Sequence, residues 1–382
     1  MLLKLYSIIK FEMSGKAHRV NMITVYSIIF SSLLTLLIWP FMVGARADTA
    51  PVDRTNKIFQ TLKEEMKFSD SELTRIKEGE LTTKLINTDE KQELFLVSVT
   101  RINVPESFFL DHYGKDVSII ENLDVKSKGE IIGPPKLSEL QDAKLDTKEI
   151  EALKECKVGK CGLKVSSEMI DRFQREIDWS QSGYKDKVNG LFQEMLLEYI
   201  RAYLSGGDSR LITYEDQSQP LSLEQVLNNI LNKTSFLFNH SPALYKYLET
   251  FPTGKPDGVK SLIYWTKEDI GANHNVLSVN QIIKFNPNDA LLNPVIVSKQ
   301  IYADHYFEAA LGITKVVENT ATTVPSVYFL YINRSSIDVL RRDGFLNGTI
   351  RRKIESRLVD SINERMKTIK DKIEVLYKAQ VG

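Results

Sequence analysis

The chain has 382 residues, of which 42% are hydrophobic and 26% are charged, and its 50 lysine and arginine residues balance 50 aspartate and glutamate residues. This composition is typical of a globular protein, and the length allows one large domain or two ordinary ones with ample core. Because the net charge is zero, nothing attracts the whole chain electrostatically to nucleic acid, and we expect no nucleic-acid partner.

Residues 1–47 have the pattern of a signal peptide. A basic region precedes the nearly uncharged stretch Met22–Val43, and Ala45-Arg46-Ala47 supplies a small-x-small cleavage pattern. We expect cleavage after Ala47. An uncleaved membrane anchor stays open as the alternative, because a stretch as long as Met22–Val43 can span a bilayer. Both interpretations place the rest of the chain in the periplasm or otherwise outside the cytoplasm.

The hydrophobic pattern divides the remaining chain into three parts. Residues 48–136 are expected to hold an N-terminal helix and the first strands of a sheet, and residues 137–250 a helical insertion. Residues 251–382 would supply the other strands and a long C-terminal helix. The fold class expected is therefore α+β, with a curved antiparallel sheet packed on the C-terminal helix.

In the first part, residues 48–87 are polar and have the pattern of a helical segment. The stretch Glu93–Val104 alternates in its side chains and predicts a strand, which Pro105 ends because proline cannot donate to the ladder of hydrogen bonds. Proline suits the first turn of a helix, so we expect a short helix from there through His112. Val117–Ile132 predicts a second strand region.

The insertion contains a series of segments with helical periodicity. They are Leu137–Glu155, Ser166–Glu176, Lys185–Leu204, Leu223–Leu231 and Ala243–Glu249. In Lys185–Leu204 apolar residues recur every three or four positions, and glycines follow it, as at many helix ends.

The two cysteines, Cys156 and Cys161, also lie in the insertion. In an oxidising compartment, cysteines this close in sequence most simply form a structural disulfide. Free thiols and a redox or metal site remain alternatives, although the spacing is not that of a redox-active C-x-x-C motif and no histidine lies nearby.

The last part alternates strand patterns with turns and then becomes helical. Strands are expected at Leu262–Trp265, Val276–Phe285 and Val327–Arg334, and Pro294–Glu318 has the pattern of one or two more. Thr349–Tyr377 predicts a long helix with a single apolar stripe. The stripe consists of Ile350, Ile354, Leu358, Ile362, Met366, Ile369, Ile373 and Leu376.

Pro294–Glu318 is unusual because polar residues occur on both faces that a strand would present. Alternation places His305 with the mostly apolar set, which would pack on a helix with Lys299 extending to solvent at one end. The other face would line a wet cavity or stay exposed. With Arg334 at the end of the next strand, it supplies the candidate ligand-binding residues Gln300, Tyr302, Asp304, Tyr306, Glu308 and Arg334.

No catalytic residue is assigned. Asp304 and His305 would suit a carboxylate and a general base, but in a regular strand adjacent side chains point to opposite faces. Arg334 has two interpretations: it pairs with Asp338 to fix the corner into the last helix, or it holds an anionic head group. The histidines show no metal-ligand spacing, and no nucleotide-binding motif is present, so we expect neither a metal nor a cofactor.

The last helix carries interleaved acidic and basic residues opposite its apolar stripe, as a solvated face does. Its first turn is basic, with Arg351, Arg352 and Lys353, and contact with lipid phosphates at a membrane surface is the alternative interpretation.

The order of elements resembles the helix-grip fold of the START-like superfamily, in which a curved antiparallel sheet wraps a long C-terminal helix. The corresponding pieces are ELFLVSVTRINVPESFFLDHYG, PVIVSKQIYADHYFEAALG, VYFLYINRSSIDVLR and the last helix. The resemblance implies that residues 137–250 are an insertion that ordinary members lack.

Separately, the segments ECKVGKCGLK, YWTKED, SKQIYADHYFEAALG and YINRSSIDVLR are similar to those of an uncharacterised exported protein family of Gram-negative bacteria. This resemblance covers most of the mature chain and implies export, but it implies no activity.

Three functions follow as hypotheses. The first is a non-enzymatic exported protein that binds an apolar or amphipathic, lipid-like ligand between the sheet and the C-terminal helix. The second is an envelope hydrolase that uses His305, Asp304 or Tyr302. The third is a structural or partner-binding envelope protein with residues 137–250 as its interaction surface. We expect binding rather than catalysis, and the sequence leaves the oligomeric state open.

Overall fold

A computed structural model describes residues 54–113, 125–269, 275–287, 293–341 and 347–381. The expected signal peptide or anchor and part of the strand region Val117–Ile132 lie outside the described residues. Within them, no helix combines the length and the apolar run that crossing a membrane requires.

An eight-stranded, fully antiparallel and curved sheet organises the chain, in the order β1-β2-β10-β9-β8-β7-β6-β3. Its strands are β1 Thr82–Ile86, β2 Glu93–Ile102, β3 Val125–Ile131, β6 Val259–Asp269, β7 Asn275–Phe285, β8 Val295–Ala303, β9 Phe307–Glu318 and β10 Val327–Ile337. A short ribbon is formed by β4 Thr213–Tyr214 and β5 Leu221–Ser222. Strands from before and after the helical segment thus share one sheet.

Helices lie before, between and after these strands. They are α1 Arg54–Glu64, α2 Asp70–Glu78, α3 Glu106–Tyr113, α4 Thr147–Lys154, α5 Ser167–Glu176, α6 Tyr184–Gly206, α7 Leu223–Lys233, α8 Pro242–Thr250, α9 Asp338–Arg341 and α10 Asn347–Val381. Short 3₁₀ helices occupy Leu137–Leu140, Gly207–Arg210 and Ser235–Phe238. The α+β prediction with a long C-terminal helix and inserted helices is confirmed.

Both faces of the sheet are covered at its β2–β10 end, which explains the nearly continuous apolar run of β2. One face carries Leu96 and Phe329, which pack with α10 and α3. The opposite face carries Val97 and Leu330, which belong to the larger core built with the helices between β3 and β6. A strand buried on both faces loses the polar positions of an alternating pattern.

The long helix α10 packs through the middle of its predicted stripe. Ile362, Met366, Ile369 and Ile373 are buried against the sheet. Leu376 was expected to continue the stripe but is largely exposed, and Tyr377 packs against the edge of Phe108 instead. A straight α-helix has 3.6 residues per turn. A stripe of residues three or four positions apart therefore drifts slowly around a helix of this length, and its last member no longer faces the sheet.

The segment from residue 48 to 87 is not wholly helical. It contains α1 and α2, but Thr82–Ile86 forms β1 and pairs with β2 at the edge of the sheet. That strand is only five residues long, and most of its side chains are half-buried. Its sequence, TTKLI, therefore does not need the alternation of apolar and polar residues by which a strand is predicted.

Cys156 and Cys161 form a disulfide with a Cα–Cα distance of 4.5 Å, which confirms the structural pairing. Reduction is expected to cost about 2 kcal/mol of unfolding free energy, because the bridge restricts a short loop in the unfolded chain. Chemical denaturation of the oxidised and reduced protein would measure this. A Cys156→Ser/Cys161→Ser variant that reduction no longer affects is the control, and equal stability of the oxidised and reduced wild type would contradict the expectation.

Candidate functional site

The segment with polar residues on both faces is broken by a turn. β8 ends at Ala303 and β9 begins at Phe307, and Tyr306 has a φ of 57°, which non-glycine residues adopt uncommonly. Strand alternation therefore does not apply to Asp304 and His305, and the expectation that they point to opposite faces is wrong. The structure brings their side chains into one group.

Glu149, from the first turn of α4, completes this group, which we call the acid–histidine cluster (Glu149, Asp304 and His305). Its Oε1 lies 3.4 Å from Nε2 of His305. One ligand atom from each of the three side chains lies within 4.8 Å of the others. Asp304 is fully buried, whereas the His305 side chain is 18% exposed, so the cluster reaches solvent through the imidazole.

Backbone groups hold the Asp304 carboxylate in place. Its Oδ1 accepts a hydrogen bond of 2.9 Å from the amide of Leu277, and its own amide donates to the Leu277 carbonyl at 3.0 Å. Its Oδ2 is buried and has no hydrogen-bond partner among the described residues. Such a group is costly unless a proton or a cation compensates it.

Glu149 is oriented by the start of its own helix. Asp146 is the N-cap of α4, and Oε2 of Glu149 accepts a short hydrogen bond from the Asp146 amide in a capping box. The Lys267 ammonium lies 3.4 Å from the same Oε2 and 2.8 Å from Oδ1 of Asp146. The other oxygen of Glu149 is left facing His305.

The charges in the cluster shift each other's pKa values. Burial raises the pKa of Asp304 to about 7, although the neighbouring His305 partly opposes this. Burial alone would lower the pKa of His305, but the hydrogen bond to Glu149 and the charge of Asp304 outweigh it and raise that pKa. Perturbed pKa values of this kind are more frequent at functional sites than elsewhere.

The other candidate ligand residues do not share one face. The Tyr302 side chain is buried among the helices of the insertion, and its hydroxyl donates to the Lys164 carbonyl at 3.2 Å. Gln300 is buried and belongs to the face on which α10 packs. Tyr306 is half-buried in the turn. A bulge between Val279 and Asn280 in the β7–β8 pairing shifts the alternation between residues 300 and 302.

Arg334 does not pair with Asp338. Its Nη2 donates to Oε2 of Glu93 at 2.7 Å, and its guanidinium lies over the ring of Phe95. Asp338 instead lies 3.5 Å from the ammonium of Lys164. The Arg334 side chain is thus held inside the protein rather than at a cavity mouth.

Glu308 is likewise satisfied by the protein. It accepts hydrogen bonds from Arg341 at 2.8 and 2.7 Å and from the Ser336 hydroxyl at 2.6 Å. Burial raises its pKa, but these donors outweigh burial and lower it. The residue fixes the start of β9 against α9.

Lys299 does not extend to solvent. It is buried on the insertion side of the sheet, where its ammonium contacts both carboxylate oxygens of Asp208 at 2.5 Å. The face that carries Val297, Lys299 and Ile301 packs on the inserted helices.

On the face of the sheet that α10 contacts, the strands farther from the helix are only partly covered. α10 packs chiefly against β1 and β2. Across β6, β7 and β8 the same face carries half-buried side chains, which we call the open face: Leu262, Tyr264, Glu268, Ser278, Asn280, Ile282, Lys284, Ile296 and Ser298. Ile296 and Tyr331 connect it to the core beneath α10. Leu262 lies opposite Ile282, and Ile282 lies opposite Ser298, so the face carries both apolar and polar side chains.

Two surface grooves lie elsewhere. One of about 580 Å³ runs between α2, β1 and α10 and is lined mainly by charged and amide side chains, and one of about 440 Å³ lies beside the disulfide. Neither is the apolar space between sheet and helix that the ligand-binding hypothesis anticipates.

Sequence reasoning missed Glu149. Its only local signal is the capping box with Asp146, which predicts a helix start and not a site. No spacing rule connects it to His305, because α4 and the turn between β8 and β9 come together only through the packing of the insertion on the sheet.

Comparison of the chain with family models, with curated proteins and with solved structures finds no match. Its function is therefore inferred from its own residues.

Proposed function

We propose that this is an exported, non-enzymatic protein that binds an amphipathic, lipid-like ligand on the open face, at the margin of α10. The observation that carries the proposal is the half-open, mixed surface of β6, β7 and β8. Antiparallel sheets often leave one face to solvent, but this face includes the half-buried apolar side chains Leu262, Ile282 and Ile296, which a bound partner would cover.

The chemistry of the open face suits a ligand with two kinds of surface. Ile282 and Ile296 offer aliphatic contacts, and Ser298, opposite Ile282, and Asn280, two residues along β7, offer hydrogen-bonding groups beside them. Gln300, which pairs with Asn280 in the β7–β8 ladder, adds a further amide. Ligand sites commonly combine an apolar lining with a few fixed polar groups.

The position differs from the one first expected. Ile362, Met366, Ile369 and Ile373 fill the interface directly beneath α10. A ligand would therefore lie beside the helix, where the sheet face opens, and not between helix and sheet. Export is supported by the disulfide, which persists in oxidising compartments, and by the signal-like N-terminal residues.

Native mass spectrometry of the protein purified from its host tests the proposal. We expect a co-purifying lipid-sized mass on the wild type and its loss in Ile282→Arg, because a charged side chain in the middle of the open face would exclude an acyl chain. Ile132→Arg is the matched control, since Ile132 is 71% exposed and lies outside the open face. Repeated recovery of wild-type protein without such a mass would contradict the proposal, as would an Ile282→Arg variant that keeps it.

Hydrolysis is the second candidate, and the acid–histidine cluster is the observation that favours it. The cluster joins a buried carboxylate to a partly exposed imidazole. Tyr302 does not support it, because its hydroxyl is buried and already donates to a backbone carbonyl.

A partner-binding role for residues 137–250 has weaker support. Leu191, Phe192, Ile200 and Tyr203 of α6 are buried in the same core as strands β6 to β10. The insertion thus serves as the cover of one sheet face, and its deletion would remove core rather than only a surface.

A further inference from the structure

We propose that the acid–histidine cluster is a Zn²⁺ site with Glu149, Asp304 and His305 as its ligands. The site is separate from the open face, and the inference does not depend on the proposed ligand of that face.

The unpartnered oxygen of Asp304 is the first argument. A residue with no exposed surface keeps Oδ2 without any hydrogen bond among the described residues, while Oδ1 is fixed by Leu277. Buried acceptor atoms without a hydrogen-bond partner are rare in native proteins, and each one needs an explanation. A cation between this oxygen, Glu149 and His305 would supply the missing partner.

The second argument is that the two oxygens of each carboxylate have different surroundings. In Asp304 and in Glu149, one oxygen is held by a backbone amide, from Leu277 and from Asp146 respectively. Oε1 of Glu149 faces His305, and Oδ2 of Asp304 accepts no hydrogen bond from the described residues. Metal-binding carboxylates are commonly oriented in this way. The hydrogen bond fixes the side chain, and the other oxygen stays free to bind the metal.

The separation of the donor atoms agrees with zinc coordination. Zinc bonds to nitrogen and oxygen are about 2.0–2.2 Å long, which places two tetrahedral ligand atoms about 3.3–3.6 Å apart. Oε1 of Glu149 and Nε2 of His305 are 3.4 Å apart. Asp304 also offers a carboxylate oxygen within 4.8 Å of both of these residues' ligand atoms.

The balance of charge also calls for a cation. Glu149, Asp304 and Asp146 bring three carboxylates together, and Lys267 is the ammonium that contacts two of them. Lys267 also donates to the Lys144 carbonyl at 2.7 Å, and no hydrogen bond joins it to Oδ2 of Asp304 among the described residues. With His305 neutral, as a metal ligand must be, a divalent ion at the cluster would offset the remaining negative charge.

The donor set selects the kind of metal. One imidazole and two carboxylates suit a first-row divalent ion, and zinc exceeds manganese and iron in affinity for such sites. Calcium and magnesium are disfavoured, because calcium takes six to eight oxygen ligands and magnesium seldom uses imidazole. Three protein ligands leave a fourth position, which the partial exposure of His305 would open to water.

Isothermal titration of chelator-treated, untagged protein with ZnCl₂ tests the site. We expect one zinc bound per chain. Loss of affinity in Asp304→Asn and His305→Ala is expected to exceed the roughly 10- to 100-fold typical of residues that only orient ligands. Zinc should raise the Tm of the wild type and leave that of Asp304→Asn unchanged, and CaCl₂ at the same concentration should raise neither.

The matched controls are Glu151→Gln on the same helix and His240→Ala, both exposed side chains outside the cluster. They should bind zinc as the wild type does. Circular dichroism of the metal-free variants establishes that each is folded. A folded wild type that binds no zinc would overturn the site, and so would unchanged zinc affinity in folded Asp304→Asn and His305→Ala.

Discussion

Replacing Glu93 by glutamine is expected to lower the free energy of unfolding by about 3–5 kcal/mol, the range for breaking a buried ion pair by removing one partner. The Glu93 side chain is 2% exposed and accepts from Arg334 at 2.7 and 3.1 Å and from Lys233 at 2.8 Å. Glutamine keeps the shape but removes the charge, so the buried Arg334 guanidinium loses its counterion. Urea denaturation at neutral pH measures the difference.

The control is Glu355→Gln, which removes a partly exposed pair with Arg351 at 2.6 Å on one turn of α10. That change is expected to cost at most about 1 kcal/mol, because water still reaches both side chains and pairs one helical turn apart contribute little. A double-mutant cycle with Arg334→Leu and Glu93→Leu should show strong coupling. Equal small losses in Glu93→Gln and Glu355→Gln would contradict the importance of the buried pair.

Replacing Lys299 by methionine is the second large effect, again about 3–5 kcal/mol. The change leaves the Asp208 carboxylate buried between β8 and the 3₁₀ turn Gly207–Arg210 without the ammonium that contacts both of its oxygens. Burial lowers the pKa of Lys299 despite that carboxylate, so the attraction between the two charges only partly offsets the cost of removing them from water.

Adding Asp208→Asn to Lys299→Met should therefore restore most of the lost stability, because replacing both members of a buried pair is often nearly neutral. Thermal and urea unfolding of the single and double variants would measure this. If Lys299→Met alone were neutral, or if the double variant were less stable than either single one, the interpretation would be wrong.

The strands and helices with one dominant period were predictable from sequence. β2 is confirmed within its predicted range, and α6 begins and ends within two residues of the prediction Lys185–Leu204. Long periodic segments bury one continuous face, so local pattern and tertiary packing agree in them. The short edge strand β1 was missed because pairing with β2, rather than its own pattern, stabilises it.

The partners of buried charges were not predictable. Arg334 pairs with Glu93, which is 241 residues away in the sequence, and Lys299 pairs with Asp208, which is 91 residues away. The sequence nearby instead suggested a pair between Arg334 and Asp338, and it predicted that the Lys299 side chain extends to solvent. Which face of a strand meets which helix depends on sheet order, and the alternation pattern alone does not contain that order.

The acid–histidine cluster illustrates the same limit. Alternation separates Asp304 from His305 only while the strand continues, and the turn between β8 and β9 ends it at Ala303. The positive φ of Tyr306 has no sequence signal of the kind that glycine provides. Glu149 then joins from α4, whose position relative to the turn follows from the packing of the whole insertion.

Methyl NMR during titration with a lysophospholipid below its micelle concentration tests the central claim most directly. Ile282 and Ile296 lie on the open face, whereas Ile263 and Ile283 are buried on the opposite face of the same strands. We expect saturable shifts of the Ile282 and Ile296 methyl signals with little change at Ile263 and Ile283. Unshifted Ile282 and Ile296 signals throughout the titration would contradict binding at the open face.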